Sequence, residues 1–564
     1  MKIYISTLFI VITIFSCKSP EVVSPSTSNN TTPPIITVTP PVIKPVTTNT
    51  VDIKLNSVLL NGEVTDEGGS PVTDKGFYWS ETNTTPTEKD NKVPVGSGKG
   101  SFSYTLDGLK IDTKYFYKSY STNSKGTSSS DVQTVKTKSL EIKKKWDNTI
   151  PSEFETTSIR SIETSDNGNI SILNREGYRV SVSVVRPFSV MIKTNSSGTL
   201  VWEKKIISDK STYMYVYDIE NASDGGFFVL ADNGVSRTLI IKYSSIGEKI
   251  WEKPILPTTT NREIMGYDIH PANDGGFVIL GIFNANPKVG HLEPYDPDLF
   301  LKKIDENGNN IWEKNFGGNG YDGYGNPSGL NITSFNKNGY IIASSSDSEI
   351  SKEKSSPKIG MKDFWVLNVD NSGMKIWEKT YGGKEDDVPK KVLIDDENNI
   401  YVVGDSNYSI IEGTSKSSPG QGIDYWVIKL DSKGNKIWDK VLGGNNADEV
   451  NDAILNQDKE LFVIGQSMSN KSDTKSENVI FRFDYWLLHL DKKGNKIWDR
   501  TIGGMGNEFS PLFLKSTNVT NELIIGGLSN SQISIFKSQN PYNWSGVNNQ
   551  VEFWLLNLNL IINN

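Results

Sequence analysis

Asp424–Gly444 reads DYWVIKLDSKGNKIWDKVLGG. Near copies stand at Asp363 (DFWVLNVDNSGMKIWEKTYGG) and Asp484 (DYWLLHLDKKGNKIWDRTIGG), with a partial one at Asp298 (DLFLKKIDENGNNIWEKNFGG). Fainter copies end in Val201-Trp202-Glu203-Lys204 and Ile250-Trp251-Glu252-Lys253. Tyr425–Leu430 is apolar at nearly every position, the pattern of a strand buried on both faces. Asp431-Ser432-Lys433-Gly434-Asn435 is turn chemistry, because Asp starts turns and Gly accepts the left-handed conformation of a short hairpin. Ile437–Lys440 alternates and carries charge, as a half-solvated strand does. Gly443-Gly444 ends it.

Two more strands follow, about Asn451–Leu455 and Leu461–Gly465, joined by the polar turn Asn456–Glu460. Each unit is therefore four strands. A four-stranded sheet with two apolar faces must stack on neighbours, and radial stacking gives a β-propeller. Trp146, Trp202, Trp251, Trp312, Trp377, Trp438 and Trp498 mark seven units. The series opens with a Trp strand, Lys143–Ile150, that has no inner partner. It closes at Glu552–Leu556, an inner strand with no Trp strand after it. The expected fold is all-β, with a seven-bladed propeller whose first strand completes the last blade and removes the open edge.

The chain has 564 residues and a net charge of −8, with no basic block, which argues against nucleic acid as a partner. Ile3–Phe15 is a short apolar run after Met1-Lys2, suited to a signal peptide. It ends Ile14-Phe15-Ser16-Cys17, and Cys17 is the only cysteine. A small residue before a lone Cys resembles the bacterial lipoprotein lipobox. The resemblance implies cleavage after residue 16, lipidation of Cys17 and anchorage to the membrane. Residues 17–50 are rich in Pro and Thr and read as a tether.

Residues 51–138 form strand-like runs between turns. Leu109 to Tyr117, leading into Ser119–Gly126, resembles the end of a fibronectin type III sandwich, with Leu109 before a corner Tyr. Gly76–Ser80 and Pro86-Thr87 resemble the variant found in surface proteins of Bacteroidota. Residues 139–564 are the propeller. Its pattern, W-x-K-x-x-G-G-x-x-x-D followed by an aromatic strand and D-x-x-G, resembles repeats in uncharacterised Bacteroidota lipoproteins. That likeness implies a cell-surface propeller and no known activity; the expected location is the bacterial outer membrane, on the cell surface or its periplasmic face, and the expected state is a monomer.

The loops on one face are long: about Ser344–Lys362, Asp405–Ile423, Gln466–Phe483 and Leu528–Val551. Long loops in a compact domain are functional or disordered. They hold Tyr408, Phe481, Phe536, Tyr542 and Trp544, which either stack on sugar rings or pack the loops down. Four positions after each double glycine stands an acid: Asp322, Asp387, Asp448 and Glu508. Two readings are open. Converging near the axis, these carboxylates would hold Ca²⁺ or a cationic ligand. Acting locally, each caps its own glycine turn. The acid before each aromatic pair and the repeated Trp read as scaffold and core. Only three histidines exist, His270, His291 and His489, without any Cys beside them, so metal hydrolysis and Ser/His/Asp catalysis lack their parts. The repeat D-x-x-G-x-x-x-W also departs from the sialidase Asp-box. The expected function is non-catalytic binding of a glycan or protein. The alternatives are a glycan-cleaving enzyme using loop carboxylates and a structural subunit of an envelope complex.

Overall fold

The computed structural model describes residues 37–46, 53–150 and most of 156–563. Residues 1–36, 47–52, 151–155, 258–263, 284–296, 324–328, 408–421, 539–550 and 564 lie outside the described residues, as do isolated stretches of one to three residues. Every named element is a β-strand. The chain is all-β and propeller-like. No helix among the described residues is long and apolar enough to cross a membrane. Cys17 lies outside the described residues.

Two compact units emerge. The first holds Leu60–Tyr104 and Phe116–Gln133; Thr105–Tyr115 and Thr134–Asn564 belong to the second. Strands β1 (Val42–Val46), β2 (Val58–Asp66) and β5 (Gly100–Leu106) form a three-stranded sheet in the order β1-β2-β5. Strands β3 (Asp74–Ser80), β4 (Asn91–Gly96), β6 (Lys114–Asn123) and β7 (Gly126–Ser129) run β4-β3-β6-β7, with β8 (Gln133–Lys136) also on β6. Strand β2 alternates buried and half-buried residues, as a sheet with one covered face must. Phe77 of β3 meets Phe102 of β5 with ring centroids 5.1 Å apart. Tyr115 Oη accepts a hydrogen bond from Lys110 N at 2.9 Å.

The second unit contains seven four-stranded antiparallel sheets. Sheets 1 to 6 each use four consecutive long strands. Their innermost strands are Thr156–Glu163, Tyr215–Asn221, Ile264–Pro271, Leu330–Phe335, Asp387–Ile394 and Asp448–Leu455. Sheet 7 runs Glu508–Ser516, Glu522–Ser529, Glu552–Asn563 and then β9 (Ser139–Ile150). The register pairs Asn557 with Trp146, matching Lys429 with Trp438 in sheet 5. Each innermost strand packs beside the next, and the seventh packs beside the first.

The second and third strands are the most buried. Asp363–Asp370, Asp424–Leu430 and Asp484–Leu490 are covered along almost their whole length, as their continuous apolar runs predict. The large fully buried indoles are Trp365, Trp426, Trp486 and Trp554 of these strands. The repeated Trp of the fourth strand was expected in the core, yet only Trp498 is buried. The others are half-buried, and each lies across a sheet boundary. A Cβ built on Gly198, Gly247, Gly308, Gly373, Gly434 or Gly494 would approach Trp146, Trp202, Trp251, Trp312, Trp377 or Trp438 respectively to 3.0 Å or less. All six glycines have φ between 74° and 78°. The turn glycine thus serves both its own hairpin and the indole of the sheet before it, which accounts for the repeated D-x-x-G-x-x-x-W.

Candidate functional site: the central channel

The innermost strands surround a channel of about 640 Å³. Their middles are bulged, with register shifts at Val216/Asp218, Gly266/Asp268, Pro389/Lys391 and Val450/Asp452. A bulge re-aims side chains and raises the local twist. Here it turns polar residues toward the axis, where they fasten neighbouring sheets. Ile269 N donates to Asp218 Oδ2 at 3.0 Å, and Ile332 N to Asp268 Oδ2 at 3.0 Å. Val392 N donates to Asn331 Oδ1 at 2.8 Å, and Leu514 N to Asp452 Oδ2 at 2.9 Å. Lys391 Nζ pairs with Asp452 Oδ1 at 3.2 Å, and Arg160 Nε lies 3.9 Å from Asp218 Oδ1.

Electrostatics in the channel are strongly perturbed. Burial pushes the Asp218 and Asp268 carboxyls up, Asp268 well above the usual range with the charge of Asp218 adding to the rise; Arg160 offsets part of this at Asp218. Asp218 keeps 19% of its side chain accessible. Burial, with repulsion from Asp218, lifts Glu220 to about 7. Burial lowers Lys515 to about 7 and His270 to about 4. His270 Nε2 accepts from Ser334 N at 3.0 Å, as a neutral imidazole does. One half of the channel is aromatic. Tyr217 lies between Tyr215 and Tyr267, with centroids 5.2 and 5.1 Å away.

The acids expected to converge do not line this channel. Asp322, Asp387, Asp448 and Glu508 are fully buried. Asp322 Oδ2 accepts from Gly318 N at 2.6 Å, Asp387 Oδ2 from Gly383 N at 2.6 Å, and Asp448 Oδ2 from Gly444 N at 2.8 Å. Glu508 Oε2 receives Gly504 N at 3.4 Å. This is the local capping geometry, four residues back along the chain. Among the described residues no three His, Cys, Asp or Glu side chains come together as a metal site. Tyr408, Tyr542 and Trp544 lie outside the described residues. Phe481 is 42% exposed, whereas Phe536 is 3% exposed and packed into the core.

What holds the long loops is a motif that sequence reasoning missed. Ser346-x-Ser348-x-x-Ser351-x-x-Lys354 recurs as Ser467-x-Ser469-x-x-Ser472-x-x-Lys475 and Ser529-x-Ser531-x-x-Ser534-x-x-Lys537. In all three, the backbone N of the third Ser donates to the Lys carbonyl, at 3.0, 2.9 and 2.8 Å. The three lysines are buried. Lys354 Nζ donates to Ser356 O at 2.6 Å, Lys475 Nζ to Thr501 Oγ1 at 2.7 Å, and Lys537 Nζ to Ser529 Oγ at 3.0 Å. Burial lowers each ammonium, and surrounding carboxylates offset that: Glu378, Asp322 and Asp363 around Lys354, Asp448, Asp499 and Asp484 around Lys475. The acid before the aromatic pair closes the same loop, since Asp363 Oδ2 accepts from Ile359 N at 2.8 Å. The repeated serines and the lysine at constant spacing were the available signal.

No family model matches the chain, and no curated protein matches it. Among solved structures, it is similar to a protein of unknown function from Bacteroides caccae at 12% identity and a TM-score of 0.32, covering 55% of this chain and 89% of that one. A member of the DUF4221 family from Bacteroides vulgatus gives 12% identity and a TM-score of 0.30, covering 58% and 92%. An alpha-L-arabinofuranosidase from Fusarium graminearum gives 11% identity and a TM-score of 0.35, covering 73% and 98%. Likeness at this level assigns no activity to this chain.

Proposed function

We propose that the chain is a non-catalytic lipoprotein of the bacterial envelope, anchored through Cys17 and facing outward. In this reading the first unit is a fibronectin type III-like spacer and the seven sheets are the blades of a closed β-propeller. The propeller binds a glycan or protein on the face where the long loops stand. One observation carries the reading: a channel of about 640 Å³ opens among strands from every sheet, within the 300–1,000 Å³ usual for ligand sites. The lysine-pinned loops support it, because buried lysines hold three loops of that face to their own sheets.

The test is thermal melting of the full chain in detergent against a panel of polysaccharides. A ligand that binds only the folded state raises the melting temperature. A glycan-specific rise without release of reducing ends supports the reading. Release of reducing ends turns it toward the enzyme, and a flat panel removes glycan as the ligand. Anchorage is tested separately: Cys17→Ser is expected to lose incorporated fatty acid and leave the membrane fraction.

A further inference from the structure

The channel is unlike a packed axial core in the distribution of its side chains. The innermost strands start on the long-loop face. Tyr215 opens its strand, while Glu220, His270 and Lys515 stand near the ends of theirs. The aromatic half therefore faces the long loops, and the titratable half faces the short hairpins. Tyr215 and Tyr267 are each partly accessible to the channel, and Tyr217 braces both from behind. Ser510 lines the same half at φ 40°, a left-handed conformation that serine adopts only under constraint.

Behind the tyrosines comes a band of donors and acceptors. Asp218 and Asp268 accept, while Arg160 and Lys391 donate. Such a wall matches a ring whose faces are apolar and whose edge carries hydroxyls, each hydroxyl both donating and accepting. Charge narrows the choice further. Asp218, Glu220 and Asp268 line the channel, and burial there already disfavours negative charge, since it pushes all three carboxyls up. An acidic sugar would bring a further carboxylate into the same surroundings, whereas a neutral or amino sugar does not.

We propose that the channel reads the end of a glycan: a terminal neutral or amino-sugar residue enters from the loop face, lies on Tyr215 and Tyr267, and hydrogen-bonds to Asp218, Asp268 and Lys391. This deepens the glycan reading above and rests on it. It moves recognition from the loops to the axis, and it excludes glycans ending in uronic acid.

The experiment is calorimetric titration of the full chain with galactose, mannose, glucosamine and glucuronic acid, and with a polysaccharide that raised the melting temperature. At least one neutral or amino sugar is expected to bind as a free monosaccharide, with glucuronic acid at least tenfold weaker. Tyr267→Leu removes the ring but keeps an apolar side chain, and Asp268→Asn keeps an acceptor for Ile332 N; each is expected to weaken binding at least tenfold. Melting of each variant within a few degrees of wild type keeps the comparison valid, and Tyr215→Leu replaces any variant that fails this. If the polysaccharide binds but all monosaccharides are silent and the variants bind it normally, the channel is overturned and the loop-face reading stands. Glucuronic acid binding as well as glucosamine overturns the charge argument. A polysaccharide panel that is flat throughout overturns both readings.

Discussion

Trp438 of sheet 5 lies across Gly494, the hairpin glycine of sheet 6. A Cβ on Gly494 would come within 3.0 Å of the indole, and its φ is 78°. Two penalties meet at one atom: a left-handed backbone, about 1–2 kcal/mol for an L-residue, and overpacking, about 1–3 kcal/mol. Gly494→Ala is expected to cost about 2–4 kcal/mol. Gly225 has φ 82° but open space around its Cβ position, so Gly225→Ala is expected to cost only about 1 kcal/mol. Thermal melting of the two variants separates the seam from the turn, and equal losses would refute the seam.

Lys475 is buried among Asp448, Asp484 and Asp499 and pins its loop to the sheet. Lys475→Met keeps the stem but leaves these carboxylates without their cation. Removing one partner from a buried charged cluster costs about 3–5 kcal/mol. The expected outcome is a lowered melting temperature together with faster proteolysis within 466–483. Unchanged proteolysis would show that the loop is held by other contacts.

Glu508 gives the protein a pH-dependent term. Burial raises its carboxyl to about 8, with Asp484 adding to the rise. The folded state therefore binds more protons than the unfolded state between about pH 4.5 and 8. The contribution is complete below the unfolded value and is lost as pH rises through the folded one. Glu508→Gln, which imitates the protonated form, is expected to flatten the fall in melting temperature from pH 5 to 8. A slope identical to wild type would rule this group out.

Asp147 holds the closing strand. Its carboxylate accepts from Trp554 Nε1 at 3.3 Å and from Ser538 N at 2.8 Å, and it pairs with Lys144 at 3.0 Å. Asp147→Ala leaves a buried indole N–H without a partner, a cost of about 1–3 kcal/mol. It also loosens β9, and an exposed edge strand favours association. Lower melting and greater aggregation on light scattering are expected together. Aggregation without destabilisation would point to another edge.

The sheets were legible in the chain because their signals are local. Tyr425–Leu430 is apolar at almost every residue, and only a strand covered on both sides tolerates that. Gly434 is read as a turn from its neighbours alone. The complementary ends, Lys143–Ile150 and Glu552–Leu556, announced their pairing because one lacks what the other has. The seam function of Trp438 was not legible, since a Trp gives the same pattern whether it packs within its sheet or across to the next.

The candidate site was legible least of all. Asp448 and Asp452 lie four residues apart on one strand, and the sequence drew attention to the first. Repetition marked Asp448, yet repetition here marks a cap on a glycine turn. Asp218, Asp268, Lys391 and Asp452 share one place in the fold, but their neighbours in the chain differ, so no motif flags them. Amino-acid order determined the strand pattern, the turn chemistry, the charge and the lone Cys17, all of which depend on neighbours in the chain. Tertiary structure alone decided which carboxylates face the axis, because a single-residue bulge in the strands that carry Asp218, Asp268, Lys391 and Asp452 re-aims the side chains there, and that bulge is set by pairing with a strand elsewhere in the chain.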